Sequence, residues 1–159
     1  MLRNMTSIYI ILKDKILLLY RVGSRVVQPS WCGVGGHFEK DELNNPKACV
    51  LRELFEEIGI KECDIGSVKL KYVTLRMKNN EIRQNYYYFT ELHNEEIDIS
   101  ECNEGTLDWV DMDEVLDRKM PFTAKECLNH YLSIGKDDDK LYAGVATDNG
   151  VNFVELKEF

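Results

Sequence analysis

The sequence predicts an α+β fold in which a mixed β-sheet is accompanied by few helices. Strand-like runs outnumber helical segments, and neither an internal repeat nor a low-complexity tract interrupts them. At 159 residues, 44% of them hydrophobic, the chain can bury one core of ordinary size but not two. We therefore expect one domain over residues 1–135, with a charged linker and a C-terminal β-hairpin over residues 136–159 that pack on the same domain.

The strand predictions rest on short apolar runs rich in β-branched and aromatic residues. Near the N-terminus, residues 8–12 and 16–20 form two such runs around a short polar turn. Near the C-terminus, the turn residues 148–150 separate two further runs and predict a hairpin. The other predicted strands are 68–77, 85–92 and 107–110, the hairpin strands are 141–147 and 151–156, and short helices are expected at 112–116 and 124–132.

The longest predicted helix has clear start and stop signals. Asn45 and Pro46 are residue types favoured at the N-cap and the first helical position, and Gly59 is well placed to end the helix. The segment 21–29 is predicted to be a loop, and a glycine-rich segment over 31–36 follows it.

The formal net charge of −8 narrows the possible functions. Such a chain repels a nucleic-acid polymer and an anionic membrane surface, so we expect neither as a partner. A small phosphorylated ligand is compatible with this charge, because divalent cations can bridge protein carboxylates to phosphate oxygens. We expect a monomer or a homodimer that acts on a small molecule.

The cysteines and the hydropathy pattern predict a cytoplasmic protein. The five cysteines are odd in number, scattered and never in a CxxC pair, which indicates reduced thiols and not a disulfide framework or a zinc knuckle. No apolar run approaches the roughly 18 to 20 residues that span a bilayer, and residues 1–5 lack the layout of a secretory signal.

Three glutamates share one face of the predicted central helix. With Arg52 taken as zero and about 100° per residue, Glu56 falls near 40°, Glu53 near 100° and Glu57 near 140° on the helical wheel. The opposite face is a continuous apolar stripe suited to the core. The helix is therefore expected to pack on one side and to present carboxylates on the other.

One alternative is that these glutamates only solvate an amphipathic helix. They lie in its last two turns, where the helix dipole disfavours negative charge by about 0.3 to 1 kcal/mol each, and they also repel one another. A divalent cation removes this penalty, and Mg²⁺ can be held by two or three carboxylates with water and phosphate oxygens. The electrostatics therefore favour a metal site over a solvated face.

The segment 52–60 reads Arg-Glu-Leu-Phe-Glu-Glu-Ile-Gly-Ile and resembles the end of the Nudix box. The box pattern is Gly, five residues, Glu, seven residues, then Arg-Glu-apolar-x-Glu-Glu-x-Gly-apolar, and Gly36 and Glu42 match its opening. The chain departs from the pattern in one place, since nine residues, 43–51, stand where the family has seven. We predict that the two extra residues lie in the loop before the helix, because an insertion inside the helix would rotate the acidic face by about 200°. The role of Glu42 depends on this placement.

The resemblance to the Nudix family, and to its MutT-like branch, implies a fold and a metal site. The implied fold is an α/β/α sandwich around a mixed β-sheet, here with the extra C-terminal hairpin. By resemblance, Glu56 and Glu57 are the main metal ligands, and Glu53 is a further ligand or the base that deprotonates the attacking water. The Gly36 carbonyl completes the site, and the implied metal is Mg²⁺, with Mn²⁺ as an alternative.

Two further residues are candidates for the same site. Arg52 lies at the edge of the acidic face, where it can orient a glutamate or contact phosphate, and the alternative is a plain intrahelical ion pair with Glu56. Glu104 resembles the extra carboxylate that some family members send to the metal from a loop outside the box. Its neighbour Glu101 is a competitor for that role, and a solvated loop is equally open.

Candidate substrate-binding residues lie near the box and beyond it. His37 follows the glycines and can contact phosphate, although it can equally be an ordinary polar residue. Thr123 lies where relatives that cleanse oxidised purine nucleotides place a base-reading residue, but it offers only a hydroxyl. Tyr86, Trp31 and Tyr88 can stack on a base, or can pack in the core as such residues more often do.

The resemblance implies that the chain is a pyrophosphohydrolase. The expected reaction is attack of water at phosphorus on a nucleoside triphosphate, an oxidised one included. ADP-ribose, dinucleotides and nucleotide sugars are alternative substrates. A nucleotide-sensing module without catalysis is a further alternative, but such a module is expected to lack part of the carboxylate set.

Overall fold

The structure is a computed structural model that describes residues 1–22, 28–93, 99, 102 and 104–158. Among the described residues, two α-helices pack on opposite faces of an eight-stranded mixed sheet, so the predicted α/β/α sandwich is confirmed. No helix in the described ranges is long and apolar enough to cross a membrane. The strands are β1 (Leu2–Leu12), β2 (Lys15–Arg21), β3 (Ser30–Cys32), β4 (Lys69–Lys78), β5 (Glu81–Glu91), β6 (Gly105–Asp111), β7 (Tyr142–Thr147) and β8 (Gly150–Glu155), and the helices are α1 (Pro46–Ile58) and α2 (Phe122–Ser133).

The sheet mixes parallel and antiparallel neighbours. β1 lies in its interior and pairs in parallel with the middle strand, β5, which pairs antiparallel with β4. The predicted C-terminal hairpin forms from β7 and β8, and β7 adds in parallel to β4. The hairpin therefore extends the same sheet. β1 begins at Leu2 and not at the predicted residue 8. Its more polar first half, residues 2–7, forms strand pairs with β5 as its apolar second half does.

The sheet divides where β2 changes partner. Residues 15–17 pair with β1 and residues 19–21 pair with β3, while β6 lines the other edge of β2. Beyond β3, the segment 33–37 continues along β1 through isolated bridges. Gly35 permits this close approach, since a Cβ there would lie 2.3 Å from the Thr6 carbonyl oxygen and its φ is +143°. The glycines thus allow the backbone of residues 33–37 to lie directly against β1.

Each face of the sheet buries its own core. Alternation along β1 sends Ile8 and Ile10 to the face covered by α1, and Tyr9 to the face covered by α2. The α1 face also buries Leu17, Val34, Val50, Leu54 and Tyr88, and the α2 face buries Leu18, Tyr87, Phe89, Cys127 and Leu128.

Helix α1 begins and ends at the predicted residues. The Asn45 side chain accepts a hydrogen bond of 3.1 Å from the Ala48 amide, and Pro46 is the first helical residue. Gly59 adopts the left-handed conformation with a φ of 72°, and its amide donates to the Phe55 carbonyl. The helix is continuous from its cap to its end. Where the extra length of the box is accommodated stays a prediction.

Other predicted elements differ from the structure. The helix expected at 112–116 is wrong, because the chain forms turns followed by a single 3₁₀ turn, Val115–Asp117. Val115 is fully buried there. A segment of about five residues is also too short to offset the cost of nucleating an α-helix. Arg21, placed in a loop by its sequence context, is the last residue of β2, and residues 23–27 of that segment lie outside the described residues.

The charged segment 136–140 is anchored to the sheet. Lys71, whose side chain is 3% exposed, lies 2.8 Å from the Asp138 carboxylate and donates to the Asp138 carbonyl. The Tyr142 hydroxyl donates to the same carboxylate at 2.6 Å. This segment therefore holds the start of β7 in place and does not behave as a free linker.

Candidate active site

The three glutamates of α1 differ in exposure although they share one helix face. The side chain of Glu57 is 4% exposed, that of Glu53 is 14% exposed, and that of Glu56 is 56% exposed. Val50 and Leu54 lie within about 60° of Glu57 on the helical wheel and are fully buried in the core, whereas Phe55 of the predicted apolar stripe is 53% exposed. The buried side of α1 is therefore rotated towards the glutamates relative to the prediction, and its packing holds Glu57 and Glu53 against the sheet, where water cannot fully solvate them.

Arg21 pairs with the most buried glutamate. Its Nη2 donates to Glu57 Oε1 and to the Gly35 carbonyl, the latter at 2.6 Å. The same nitrogen lies 3.1 Å from Glu104 Oε2, so the predicted outer carboxylate does reach the site. Arg21 is not among the site residues predicted from the sequence. Its proximity to Glu104 comes from the pairing of Arg21 with Gly105 across β2 and β6, which no local signal reveals.

Arg52 links the glutamates of the helix to the loop before it. Its Nε and Nη2 bind the two oxygens of Glu42 at 2.7 and 3.0 Å. Its Nη1 lies 3.0 Å from Glu53 and 2.9 Å from Glu56, and Nη2 donates to the His37 carbonyl at 3.1 Å. Both interpretations of Arg52 are therefore present, since it makes the intrahelical pair and also orients three carboxylates. Glu42 is a buried partner of Arg52 in this arrangement.

The carboxylates carry shifted pKa values. Burial raises the pKa of Glu57 to about 7, although the charge of Arg21 and the amide of Gly35 act in the opposite direction. Glu104 and Glu53 raise it further by charge repulsion. Burial also raises the pKa of Glu53, against the effect of its neighbour Arg52. The arginines therefore compensate this negative charge only in part, and a further cation would stabilise the ionised carboxylates.

The glycines bring backbone groups to the carboxylates. A Cβ at Gly36 would lie 2.5 Å from the Glu53 carboxylate, so a side chain at Gly36 would displace that group. The Gly36 carbonyl, however, accepts a hydrogen bond from the Thr6 amide at 2.9 Å and is directed to β1, against its predicted role as a metal ligand. Gly35 instead presents both backbone groups to the site, because its amide donates to Glu57 at 3.1 Å and its carbonyl contacts Arg21.

The donor set suits a hard divalent cation. Carboxylate oxygens on one helix face and a nearby backbone carbonyl are the oxygen ligands that Mg²⁺ prefers. Within the part of the chain that the structure describes, no three His, Cys, Asp or Glu side chains already converge on one point. Arg21 contacts the carboxylate of Glu57, and Arg52 contacts those of Glu53 and Glu56. A cation therefore fits this site only if it replaces contacts made by the arginines.

The sequence of residues 1–131 matches the family model described as the NUDIX domain. The chain belongs to the Nudix family. It is thus a hydrolase of pyrophosphate bonds, and enzymes of this family use divalent metal ions and act on small nucleotide substrates.

Solved structures with this fold confirm the architecture. A mutator MutT protein from Bacillus halodurans is 24% identical, with a TM-score of 0.67 over 96% of this chain and 97% of the other. A Nudix hydrolase from Nitrosomonas europaea is 14% identical, with a TM-score of 0.72 over 91% and 78%. An ADP-ribose pyrophosphatase from Streptococcus suis is 17% identical, with a TM-score of 0.65 over 91% and 98%. At these identities the likeness shows the fold and not the substrate.

The predicted substrate-binding residues of this Nudix hydrolase do not form one surface. Thr123 is buried in the first turn of α2, and its hydroxyl lies 3.2 Å from that of Tyr87. Packing of α2 on β5 covers the hydroxyl, and its role in reading a base stays a prediction. Tyr86 lies on the other face of the sheet, where its ring packs against Phe38 at 5.5 Å. His37 is exposed and contacts Arg3.

The other aromatic candidates also pack within the fold. Trp31 lies 5.0 Å from the Tyr20 ring and 5.0 Å from the Arg118 guanidinium. Tyr88 is buried in the core on the α1 face. The core-packing alternative therefore describes both residues. Glu101, the competitor of Glu104, lies outside the described residues.

Proposed function

We propose that this Nudix hydrolase is a Mg²⁺-dependent pyrophosphohydrolase that cleaves the diphosphate linkage of a nucleoside triphosphate by attack of water at phosphorus. The observation that carries the proposal is the burial of Glu53 and Glu57 on one face of α1, beside the glycine backbone, with raised pKa values. Buried carboxylates without full charge compensation are costly, and they are expected where a cation and a phosphate complete the charge balance.

The residues that would hold the cation are Glu56, Glu57 and Glu104, together with a backbone carbonyl. The contacts of Gly35 make its carbonyl a better candidate than that of Gly36, which is engaged in the sheet. When bound, the cation supplies charge neutralisation at the phosphate oxygens and lowers the pKa of bound water. Mn²⁺ has similar ligand preferences and is the alternative ion.

Glu53 is the candidate base for the attacking water. Its carboxylate lies against the backbone of Gly36. Its raised pKa makes it a better proton acceptor than an exposed glutamate. Arg52 holds this carboxylate at 3.0 Å and is itself fixed by Glu42. Arg52 therefore acts as a positioning residue, while Glu53 takes the proton or serves as a further ligand of the cation.

Arg21 has two roles in this proposal. Without a cation it compensates the charge of Glu57 and Glu104. If Glu57 and Glu104 held a cation, the guanidinium of Arg21 could bind a phosphate oxygen of the substrate, for which the planar fork is well suited. An exchange of partners at Arg21 therefore couples substrate binding to assembly of the site.

A nucleoside triphosphate is the first candidate substrate and an ADP-ribose-like diphosphate is the second. The solved structures that share this fold include proteins named for MutT and for ADP-ribose pyrophosphatase activity. The burial of Thr123 removes the support for specific recognition of an oxidised base. Retention of Glu53, Glu56 and Glu57 favours catalysis over nucleotide sensing, since a sensor does not need the full carboxylate set.

The test is a hydrolysis screen with products identified by mass spectrometry. Nucleoside triphosphates, their oxidised forms, ADP-ribose and nucleotide sugars are each incubated with Mg²⁺, with Mn²⁺ or with a chelator. We expect cation-dependent release of a nucleoside monophosphate from at least one of them. Glu57→Gln should lose this activity, whereas Glu62→Gln, which removes an exposed carboxylate beyond the end of α1, should retain it. Absence of hydrolysis across the whole panel would overturn the proposal.

A further inference from the structure

Helix α1 covers only one end of its face of the sheet. Alternation along β1 and β5 places Leu2 and Ile82 on the same face as Ile8 and Tyr88, which belong to the core under α1. Leu2 and Ile82, however, are 55% and 45% exposed. The part of this face that lies beyond α1 is therefore open to solvent.

The uncovered part continues across β4, β7 and β8. Met77 of β4 pairs directly with Ile82 of β5, and directly paired residues point to the same face. Leu75 of β4 pairs in the same way with Val145 of β7. Val154 of β8 shares this face, because its partner on β7 lies two residues from Val145. We define the open face by its large apolar side chains, which are between 40% and 65% exposed: Leu2, Leu75, Met77, Ile82, Val145 and Val154.

The open face is uncharged. Within the part of the chain that the structure describes, its strands present no charged side chain to this side beyond α1. Its polar side chains are three amides and one hydroxyl, those of Asn4, Gln84, Asn152 and Thr147. Charged residues make up 30% of the chain, and they lie on its other surfaces. An uncharged surface of this kind favours contact with another apolar surface over contact with water.

The extent of the open face suits a small specific interface. It crosses the five neighbouring strands β1, β5, β4, β7 and β8. With strands about 4.8 Å apart and residues of one face about 6.7 Å apart along a strand, three rows of residues cover roughly 500 Å². Two such surfaces bury about 1,000 Å², the lower limit of a specific interface. A cleft of about 560 Å³ at the edge of the face adds depth, and its lining includes Leu75, Met77, Ile82 and Val145.

The absence of charge selects the kind of partner. A strongly basic or acidic protein finds no opposite charge to pair with on the open face. The complementary surface is uncharged, apolar and shaped as a twisted sheet, and the chain itself carries such a surface. Two sheets pack face to face about 10 Å apart with their strands at about −30°. A two-fold axis then lets the same patch serve both copies.

We propose that the open face binds the open face of a second copy, so that the protein forms a symmetric dimer in which two sheets pack face to face. Burial of the apolar side chains drives association. Repulsion between two chains of net charge −8 opposes it, and the uncharged face is the surface where this repulsion is smallest. The dissociation constant is expected to be on the order of 10 µM. The inference is independent of the proposed function, because it does not involve the α1 glutamates.

The outer edge of β8 offers a second copy a different contact. Among the described residues, β8 is the last strand of the sheet, and an open edge can pair with a strand of another chain. Edge pairing would leave Leu75 and Met77 exposed, because β4 lies two strand spacings, or about 10 Å, from that edge. Met77 therefore distinguishes contact through the face from contact through the edge.

Sedimentation velocity over about 1 to 500 µM protein tests the proposal. We expect the wild type to form a dimer with rising concentration. Met77→Lys and Val145→Lys should each raise the dissociation constant at least about tenfold, because an ammonium group would be buried without a partner. Both side chains are more than half exposed in the single chain, so the fold should tolerate the change, which circular dichroism checks. Val154→Lys replaces either variant if it unfolds.

Ile134→Lys is the matched control. Ile134 is 51% exposed, as is Val145, but it lies at the end of α2 and away from the open face. Each lysine variant changes the net charge from −8 to −7, which by itself favours association. Ile134→Lys should therefore dimerise at least as well as the wild type. Loss of the dimer in the face variants alone then reports contact through the face.

Ionic strength gives a second measurement on the same samples. Salt from about 50 to 300 mM screens the repulsion between like-charged copies, so the dimer should become tighter. A dimer that salt weakens would be held by ion pairs and would overturn the inference. A dimer that persists in Met77→Lys would be formed through the β8 edge or another surface, with the same consequence. A wild type that stays monomeric up to about 500 µM would also overturn it.

Discussion

At the residue scale, the site consists of glutamates held by two arginines, of which the sequence revealed one. The helical spacing places Glu53, Glu56 and Glu57 on one face, and the box pattern identifies Arg52. Arg21 could not be predicted in the same way, because its contact with Glu57 crosses 36 residues of sequence and depends on strand pairing. The spacing of residues along the chain predicts which side chains share a face of one helix or strand. It does not predict contacts between residues that are far apart in sequence.

The first prediction concerns the most buried of these glutamates. Glu57→Gln should lower the turnover rate by about two orders of magnitude or more, because it removes a ligand oxygen from the cation. Folding should be intact or slightly improved, since burial makes the charged form of Glu57 costly. Turnover is measured at saturating substrate and limiting Mg²⁺, and the melting temperature is measured alongside. A variant with near-normal turnover would argue against the assignment of the site.

The second prediction is a pH dependence that Glu42 contributes to stability. The hydrogen bonds from Arg52 lower the pKa of Glu42 from 4.5 to about 2 in the folded protein. A depressed carboxyl pKa stabilises the fold above the unfolded value and loses that contribution as the pH falls through the folded value. Glu42→Gln should therefore be less stable than the wild type at pH 7, and the difference should shrink from about pH 4.5 towards pH 2.

Urea midpoints across this pH range measure the effect. Glu39→Gln is the matched control, because Glu39 is an exposed carboxylate in the same loop and has no ion pair with Arg52. Its midpoint should follow that of the wild type at each pH. A stability difference for Glu42→Gln that stayed constant down to pH 2 would show that the pair with Arg52 does not produce it.

At the element scale, the sequence was most informative where one element carries its own signals. Asn45, Pro46 and Gly59 define both ends of α1. Its buried face was predicted less well, because Phe55 of the apolar stripe is exposed and Glu57 is buried. The segment 112–116 misled because its short apolar pattern fits either a helix or a pair of turns, and only the burial of Val115 decides between them. The division of the sheet at β2 was likewise beyond prediction, since it arises from competition between β1 and β3 for one strand edge.

The third prediction tests the cap of α1. Asn45→Ala removes the acceptor for the Ala48 amide and should cost about 1 kcal/mol of unfolding free energy, as at other helix caps. Asn44→Ala changes an exposed neighbour of the same type and should cost no more than about 0.5 kcal/mol. The two midpoints in urea are compared at constant pH. Equal stabilities of the two variants would mean that the cap contributes nothing measurable.

At the scale of the whole molecule, charge and topology combine to make cation binding a source of stability. The chain carries a net charge of −8, and the carboxylates of the site are partly compensated by Arg21 and Arg52. Relief of repulsion between the carboxylates therefore contributes less to the stabilisation by a bound cation than the sequence alone suggested. The C-terminal hairpin pairs with β4, and we propose that it unfolds together with the rest of the sheet as one domain.

The fourth prediction follows from mass action. A cation that binds only the folded protein stabilises it by RT ln(1 + [L]/Kd), so the melting temperature should rise with millimolar Mg²⁺ or Mn²⁺. The rise should shrink in Glu57→Gln and persist in Glu62→Gln, whose carboxylate lies outside the site. Differential scanning calorimetry measures all three proteins at fixed ionic strength. An identical rise in all three would place the bound cations elsewhere on the molecule.

If the α1 glutamates hold the cation that turnover requires, binding of Mn²⁺ and turnover must depend on the same residues, and a paired titration with Mn²⁺ measures both. Binding is measured by electron paramagnetic resonance and hydrolysis by product release, on the same samples. We expect both curves to rise over the same Mn²⁺ range in the wild type and to shift together to higher concentration in Glu57→Gln. If hydrolysis by Glu57→Gln required the same Mn²⁺ concentration as hydrolysis by the wild type, the α1 glutamates would not hold the cation that turnover requires.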